Sequence, residues 1–153
     1  SSSAASDVYK RQARFIVRNL KPYIDNHFRT LPDRDNTVFI GSSYGGLMAM
    51  YMALEYPNVF GKVGVLSPTL HWNERIFTQM ERFRKRHFQQ IYLTAGENED
   101  DEMAPNLIRA HDLLVEAGFG DHELNLQIHH DGRHSEWFWG REFPEVVRWF
   151  FEL

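Results

Sequence analysis

A serine flanked by glycines is the feature of this sequence with the clearest chemical meaning. The segment Gly41–Gly45 reads GSSYG and fits the pattern G-x-S-x-G, with an apolar run before it and a helix-forming run after it. In that setting the pattern is typical of a sharp strand-to-helix turn that exposes the hydroxyl of its central serine. The N-terminus of the following helix also favours developing negative charge. We therefore predict that Ser43 is a nucleophile for acyl transfer.

Three glycines near Ser43 have predicted steric roles. We expect that side chains at Gly41 and Gly45 would clash in so tight a turn, and that Gly46 lets the helix pack closely on the strand. A phosphate-binding loop is the weaker interpretation, because no Lys-Ser or Lys-Thr follows the glycines and G-x-G-x-x-G is absent. The glycines therefore favour a serine hydrolase.

A serine nucleophile needs a base, and the sequence offers eight histidines. In hydrolases with this serine turn, the base follows the last strand of the sheet. His134 lies there, just after the turn at Asp131-Gly132, and we predict it to be the base, with His130 as the alternative. His130 and His134 are four residues apart, but the turn between them keeps them off a common helical face. We therefore predict no metal site.

The acid that orients the histidine is expected in the loop Gly96–Glu102. This loop carries five carboxylates in six positions and lies between the serine and the histidine in the chain. That order, nucleophile, acid and base, is the one such hydrolases follow. Glu can hold an imidazole tautomer as well as Asp. The other carboxylates are expected to be solvated or to cap the next helix.

The elements that must position these residues alternate along the chain. The predicted strands are Thr37–Ser42, Val63–Ser67, Gln90–Ala95 and Glu123–His129. The predicted helices are Ala13–Arg29, with a kink or new first turn at Pro22, Gly45–Tyr56, Asn73–His87, Ala104–Ala117 and Ser135–Glu152, with a break at Pro144. Alternation of this kind, with mostly apolar runs in the first two strands, predicts an α/β fold whose parallel sheet of about four strands is flanked by helices.

Composition narrows the class of protein further. The 153 residues are 42% hydrophobic, which suits one domain, and the net charge of −4 argues against a nucleic-acid partner. The basic run Glu81–His87 is expected to be a solvated helix face. The absence of cysteine excludes disulfides and thiolate metal sites. The stretch Val38–Leu54 is too short and too polar to span a membrane. We slightly favour a cytoplasmic location, although an exported form remains compatible with a signal peptide upstream.

The first twelve residues read SSSAASDVYKRQ, and they show no periodicity or capping pattern that joins them to the rest of the chain. The string DVYKRQ resembles the translation of a transposon-end sequencing adapter. We therefore expect residues 1–12 to be a non-native leader, to be excluded from the fold. Residues 13–153 are then expected to form one domain that was cut at Ala13.

Four motifs together resemble a known family. GSSYGG, SPTLHW, YLTAGENED and DGRHSEWFWGREFPEVVRWFF occur in this order, each at the end of a predicted strand. They resemble the esterase family of α/β-hydrolases, which includes esterase D-like, feruloyl and enterochelin-type siderophore esterases and the mycolyltransferases. The resemblance covers Ala13 to Leu153.

The resemblance implies a role for each site residue. Ser43 would be the nucleophile, His134 the base and Glu99 the acid. Many members carry Asp at the acid position, so Asp100 stays an alternative. The backbone N–H of Tyr44 would donate to the oxyanion. His71 and Trp72 would border the pocket for the acyl or leaving group.

The implied activity is hydrolysis of a small-molecule carboxylic ester through an acyl-enzyme, without a cofactor or metal. An acyltransferase of the same fold and a non-catalytic fragment or binding module are the alternatives. Family members have several strands before the first helix found here, and those strands carry the second oxyanion donor. The chain is therefore expected to be the C-terminal part of an α/β-hydrolase domain. We expect it to be weakly active or inactive by itself, because losing one such donor costs about 3 kcal/mol, and poorly stable, because the missing strands leave an edge strand and apolar faces uncovered.

Overall fold

A four-stranded parallel sheet flanked by helices forms the structure, a computed structural model that describes residues 2–153. The strands are β1 (Val38–Ser42), β2 (Lys62–Leu66), β3 (Gln90–Gly96) and β4 (Leu124–His129), in the order β1-β2-β3-β4. The helices are α1 (Ser2–Phe15), α2 (Lys21–His27), α3 (Tyr44–Glu55), α4 (Arg75–Arg82), α5 (Met103–Glu116) and α6 (Glu136–Phe151). The predicted α/β class and parallel sheet are confirmed.

The sheet has an apolar core on each face. On one face α3 packs against β1 and β2, and α5 packs against β3 and β4. On the other face α6 packs against β2 and β3, where Val146 and Phe150 meet Leu66 and Tyr92. Because β2 and β3 are covered on both faces, their sequences are mostly apolar. The edge strand β1 is only half-buried.

Strand register brings the C-terminal ends of the strands to one edge of the sheet. Ser42 of β1 pairs with Leu66 of β2, and Gly96 of β3 pairs with His129 of β4. Since ligands of parallel sheets bind outside this edge, the segments that follow the strands are the natural place for a site. These segments carry Ser43, Ser67, Glu99 and His134.

The N-terminal helix differs from its prediction. It begins at Ser2 rather than Ala13, because Tyr9 and Ala13, one helical turn apart, are both buried against the domain. A π-helical segment, Ile16–Leu20, then separates α1 from α2. Pro22 lies in the first turn of α2, as predicted, where its missing N–H costs nothing. The adapter origin of residues 1–12 stays a prediction.

Helix α4 is shorter than predicted, ending at Arg82 instead of His87. The following segment is held by contacts with other elements. Lys85 Nζ donates to Glu123 Oε2 at 2.5 Å, and Gln89 Nε2 donates to the carbonyl oxygens of Ala53 (3.2 Å) and Phe60 (2.9 Å). These long-range bonds require a stretched chain, and they override the local helix preference.

The predicted break at Pro144 is wrong, because α6 runs through it without interruption. Proline removes one backbone hydrogen bond from a helix. Here the helix is anchored on both sides of the proline by the buried side chains of Phe138, Val146 and Phe150. Its start is also capped, since Ser135 Oγ accepts from the N–H of Phe138. Tertiary packing therefore keeps the helix continuous.

Within residues 2–153, no helix combines the length and the apolar character needed to cross a membrane.

Candidate active site

Ser43 occupies a strained turn between β1 and α3. Its backbone has φ 57° and ψ −122°, a conformation that non-glycine residues rarely adopt and that costs about 1–3 kcal/mol. Backbone hydrogen bonds hold it there: the Ser43 N–H donates to the Leu66 carbonyl at 3.0 Å, and the Ser43 carbonyl accepts from Gly46 N–H at 3.0 Å. The predicted sharp strand-to-helix corner is therefore present.

The glycines around Ser43 have different roles. A Cβ added to Gly41 would lie 2.1 Å from the Gly45 carbonyl oxygen, and one added to Gly46 would lie 2.7 Å from the Leu66 carbonyl oxygen. The predictions for Gly41 and Gly46 are confirmed. The predicted clash at Gly45 is wrong, since a Cβ there would meet no described atom within 4 Å beyond its chain neighbours and the nearby backbone of its own helix. The Gly45 carbonyl group is what excludes a side chain at Gly41, whereas a side chain on Gly45 itself would point into free space.

His134 connects the serine to a buried carboxylate. Its Nε2 lies 2.8 Å from Ser43 Oγ, and its Nδ1 lies 2.7 Å from Glu99 Oε2. The Glu99 side chain is 0% exposed and the His134 side chain 38% exposed. Because an ionised carboxylate only accepts hydrogen bonds, Nδ1 carries the proton and Nε2 is free to accept the Ser43 hydroxyl proton. This arrangement is able to activate a hydroxyl.

The structure brings Glu99, rather than Asp100, to the imidazole. The second carboxylate oxygen of Glu99, Oε1, accepts from the N–H of Gly96 and from Ser67 Oγ, each at 2.7 Å. The Asp100 carboxylate instead accepts from the N–H groups of Glu102 (2.9 Å) and Met103 (2.8 Å), at the start of α5. Asp100 therefore acts as a helix cap.

A close backbone contact joins the loop of the acid to the loop of the histidine. A Cβ on Gly96 would lie 2.1 Å from the Gly132 carbonyl oxygen. Asn98 adds two bonds, from its N–H to the Gly132 carbonyl at 3.1 Å and from Nδ2 to the His130 carbonyl at 2.6 Å. The exposed His130 ring pairs with Glu97 at 2.8 Å, and this hydrogen bond raises the pKa of His130. His130, the alternative base, is thus hydrogen-bonded to Glu97 and not to Glu99.

No shared metal site involves the two histidines that are four residues apart. His130 bonds to Glu97, whereas His134 bonds to Ser43 and Glu99. Across the described part of the chain, no group of three or more His, Cys, Asp or Glu side chains is arranged to hold a metal ion.

The residues predicted to contact substrate lie beside the serine turn. The 3-10 turn Leu70–Trp72 follows β2, and the N–H of Thr69 just before it donates to the Ser43 carbonyl at 3.3 Å. Trp72 is 57% exposed, and its ring centroid lies 6.5 Å from that of Tyr44, the first residue of α3. His71 is half-buried, with its ring 6.2 Å from Trp72. The structure therefore places Trp72 beside Tyr44 and His71 beside Trp72, and contact of these two residues with substrate stays a prediction.

An apolar cleft of about 400 Å³ opens between β1 and α6. Its lining includes the side chains of Ile40, Leu66, Trp139 and Phe143. The Trp139 ring also meets the His134 ring edge-on, with centroids 4.9 Å apart and planes at 88°. Trp139 therefore lies between the cleft and the imidazole.

Sequence reasoning missed the contribution of Ser67. It placed this residue at the end of a strand and gave it no separate chemical role. A serine followed by proline at the end of the strand next to the nucleophile strand was the available signal. The structure leaves Trp137 63% exposed and turns Trp139 toward Ser67 and His134.

Comparison with known proteins places the chain in a family. The model of the family described as "Putative esterase" matches residues 2–150. The iron(III) enterobactin esterase of Dickeya dadantii (strain 3937) is 30% identical over 134 residues, which cover 76% of this chain and 30% of that protein. The uncharacterized protein YbbA of Bacillus subtilis (strain 168) is 24% identical over 143 residues, which cover 89% of this chain and 57% of that protein.

Solved structures show the same fold. The enterobactin esterase FES from Shigella flexneri, determined in the presence of 2,3-di-hydroxy-N-benzoyl-glycine, superposes with a TM-score of 0.79 at 20% identity, covering 90% of this chain and 37% of that one. The chain therefore spans about a third to somewhat more than half of the proteins it matches. With the family match extending over nearly all of its residues, the chain belongs to this esterase family of α/β-hydrolases.

Proposed function

We propose that Ser43 is the nucleophile of a carboxylic ester hydrolase that works through an acyl-enzyme, with His134 as base and Glu99 as acid. The observation that carries the proposal is the continuous hydrogen-bonded line from Ser43 Oγ through His134 to Glu99, with distances of 2.8 and 2.7 Å. The nucleophile, the base and its orienting acid are the three parts that such a mechanism requires. Membership of the esterase family supports the same reaction class.

In the proposed first step, His134 Nε2 removes the Ser43 hydroxyl proton while Oγ attacks the ester carbonyl carbon. The carbonyl oxygen becomes an oxyanion, which the Tyr44 N–H at the start of α3 would stabilise. His134 then returns its proton to the leaving alkoxide, and an acyl group stays on Ser43. Throughout this step Glu99 holds the Nδ1 proton and stabilises the imidazolium.

In the second step, water replaces the alcohol. His134 removes a proton from the water as its oxygen attacks the acyl carbon, and a second oxyanion forms at the same donor. When this intermediate collapses, the Ser43 oxygen leaves and recovers its proton from His134. The products are a carboxylic acid and the free serine. Transfer of the acyl group to another alcohol instead of water would use the same steps.

The surroundings of Ser43 support a small-molecule ester with an apolar part. The cleft lined by Ile40, Trp139 and Phe143 would take that part, and the exposed Trp72, whose ring lies near that of Tyr44, would offer a flat surface. His71 would face the polar part of the substrate. Relatives named as enterobactin esterases support a carboxylic ester as the substrate class.

The test is the appearance of an acyl group on Ser43. The chain would be mixed with p-nitrophenyl acetate, and both nitrophenolate release and the intact mass of the protein would be followed. We expect an acetyl adduct on Ser43 and its loss in Ser43→Ala, while the adjacent Ser42→Ala variant behaves as the parent. An unmodified Ser43, or hydrolysis by Ser43→Ala at the parent rate, would refute the proposal.

A further inference from the structure

We propose that Ser67 is a positioning residue for the acid, and that Trp139 sets the direction of its hydroxyl. This inference rests on the proposed function, because it concerns how Glu99 is held against His134. The evidence is a set of hydrogen bonds that connects Trp139, Ser67, Glu99 and His134.

The position of Ser67 is fixed by the fold. The residue is 0% exposed and follows β2 directly. Its backbone N–H donates to the Thr94 carbonyl at 2.8 Å, which extends the pairing of β2 with β3. Its φ of 42° lies in the left-handed region, where a non-glycine residue persists only when the surroundings require it. The hydroxyl is therefore presented from a constrained backbone.

The direction of the hydroxyl proton follows from its two partners. A serine hydroxyl has one proton to donate, whereas an indole N–H can only donate. Trp139 Nε1 donates to Ser67 Oγ at 2.9 Å, so Ser67 is the acceptor in that bond. The single proton of Ser67 is then directed at Glu99 Oε1, 2.7 Å away. Because the Ser67 oxygen accepts from Trp139, its hydroxyl proton is donated to Glu99.

This donation decides which oxygen of Glu99 faces the imidazole. Oε1 is occupied by two donors, the Gly96 N–H and the Ser67 hydroxyl, and Oε2 is left for His134. Without the hydroxyl, a fully buried carboxylate would retain a single donor on Oε1. The Glu99 carboxylate would then be held less firmly against His134, because a buried charge that loses a hydrogen bond is destabilised.

Trp139 also contacts His134, the last residue in this series of hydrogen bonds. Its ring meets the His134 ring edge-on at 4.9 Å, while its N–H bonds to Ser67. The four side chains therefore form a closed ring of contacts: Trp139 to Ser67, Ser67 to Glu99, Glu99 to His134, and His134 back to Trp139. Helix α6, which carries Trp139, is thereby coupled to the geometry of the base.

The kinetic test compares Ser67→Ala and Trp139→Phe with Thr94→Val. The Thr94 side chain is buried on the neighbouring strand, and its Oγ1 has no hydrogen-bond partner among the described residues, so its removal is a matched loss of one buried hydroxyl. With p-nitrophenyl acetate we expect Ser67→Ala to lower kcat about 10-fold with KM unchanged, since a hydrogen bond to a charged group is lost. Trp139→Phe should give a smaller loss, and Thr94→Val none.

A spectroscopic test reports positioning without turnover. The Nδ1 proton of His134, bonded to Glu99, would be followed by NMR in protein labelled with ¹⁵N-histidine. We expect its downfield resonance to move upfield or broaden in Ser67→Ala and Trp139→Phe, and to stay in place in Thr94→Val.

The two tests separate this inference from the proposed function. If kcat and the resonance in Ser67→Ala equal those of the parent, or if the parent shows no such resonance, positioning by Ser67 is refuted. If Ser43→Ala keeps full activity, the proposed function fails, while the dependence of the His134 resonance on Ser67 still reports on the contact.

Discussion

Substitution of the first glycine in the serine turn should be far more harmful than substitution of the last one. In Gly41→Ala the added Cβ would lie 2.1 Å from the Gly45 carbonyl oxygen and 2.4 Å from its carbonyl carbon. To reach an ordinary contact of roughly 3.5 Å it would have to retreat by about 1.4 Å, and both sides of the contact are backbone. Overpacking of this kind costs about 3 kcal/mol. For a domain of this size that corresponds to a fall in Tm of about 6–12 °C.

Gly45→Ala is the matched control, because its Cβ would enter open space and its backbone is helical. Alanine in a helix is better than glycine by up to about 1 kcal/mol, so this variant should be as stable as the parent or slightly more stable. Urea and thermal unfolding of both variants would measure the difference. Equal stabilities for Gly41→Ala and Gly45→Ala would refute the steric account of the turn.

Three further predictions concern single side chains. Glu99→Gln should lower kcat by about 10³ to 10⁴, since the imidazole loses its orienting charge, while Asp100→Asn keeps a good helix cap and should match the parent; the reverse result would make Asp100 the acid. The pKa of His130 is raised above its usual 6.5 by the hydrogen bond with Glu97, so this pair stabilises the fold below that pH and loses its effect as the pH rises through the folded pKa. Urea midpoints of Glu97→Gln and the parent should therefore differ near pH 5.5 and coincide near pH 9, and a difference that does not change with pH would contradict this. Tyr9→Phe removes the buried acceptor of an amide hydrogen bond and should cost about 1–2 kcal/mol in urea unfolding, whereas no loss would mean that the bond from Asn73 to the Tyr9 hydroxyl adds nothing to stability.

The strands and the chemistry-bearing turns could be predicted because their signals are local. Mostly apolar runs marked the first strands, whereas the fourth, Glu123–His129, alternates apolar and polar residues; parallel pairing then required the C-terminal ends of all four to share one edge. Ser43 and His134 follow two of those strands, so their convergence was foreseeable from order along the chain alone. The pattern of glycines likewise predicted the corner at Ser43.

What could not be predicted depends on contacts between distant segments. The choice of Glu99 over Asp100 is set by the directions of adjacent side chains, one toward His134 and the other toward the start of α5. The role of Ser67 depends on Trp139, which is 72 residues further along the chain. The early start of α1 depends on burial of Tyr9 against other elements. Each of these features depends on tertiary contacts between distant segments, which no local sequence pattern contains.

Activation of Ser43 by His134 is the central claim, and labelling with a fluorophosphonate probe tests it most directly. The rate of labelling and the modified residue, located by peptide mass spectrometry, would be compared for the parent, His134→Ala and His130→Ala. We expect rapid modification of Ser43 in the parent and in His130→Ala, and labelling slower by at least about 10³ in His134→Ala. Equal labelling of His134→Ala and the parent, or modification of a serine other than Ser43, would contradict this claim.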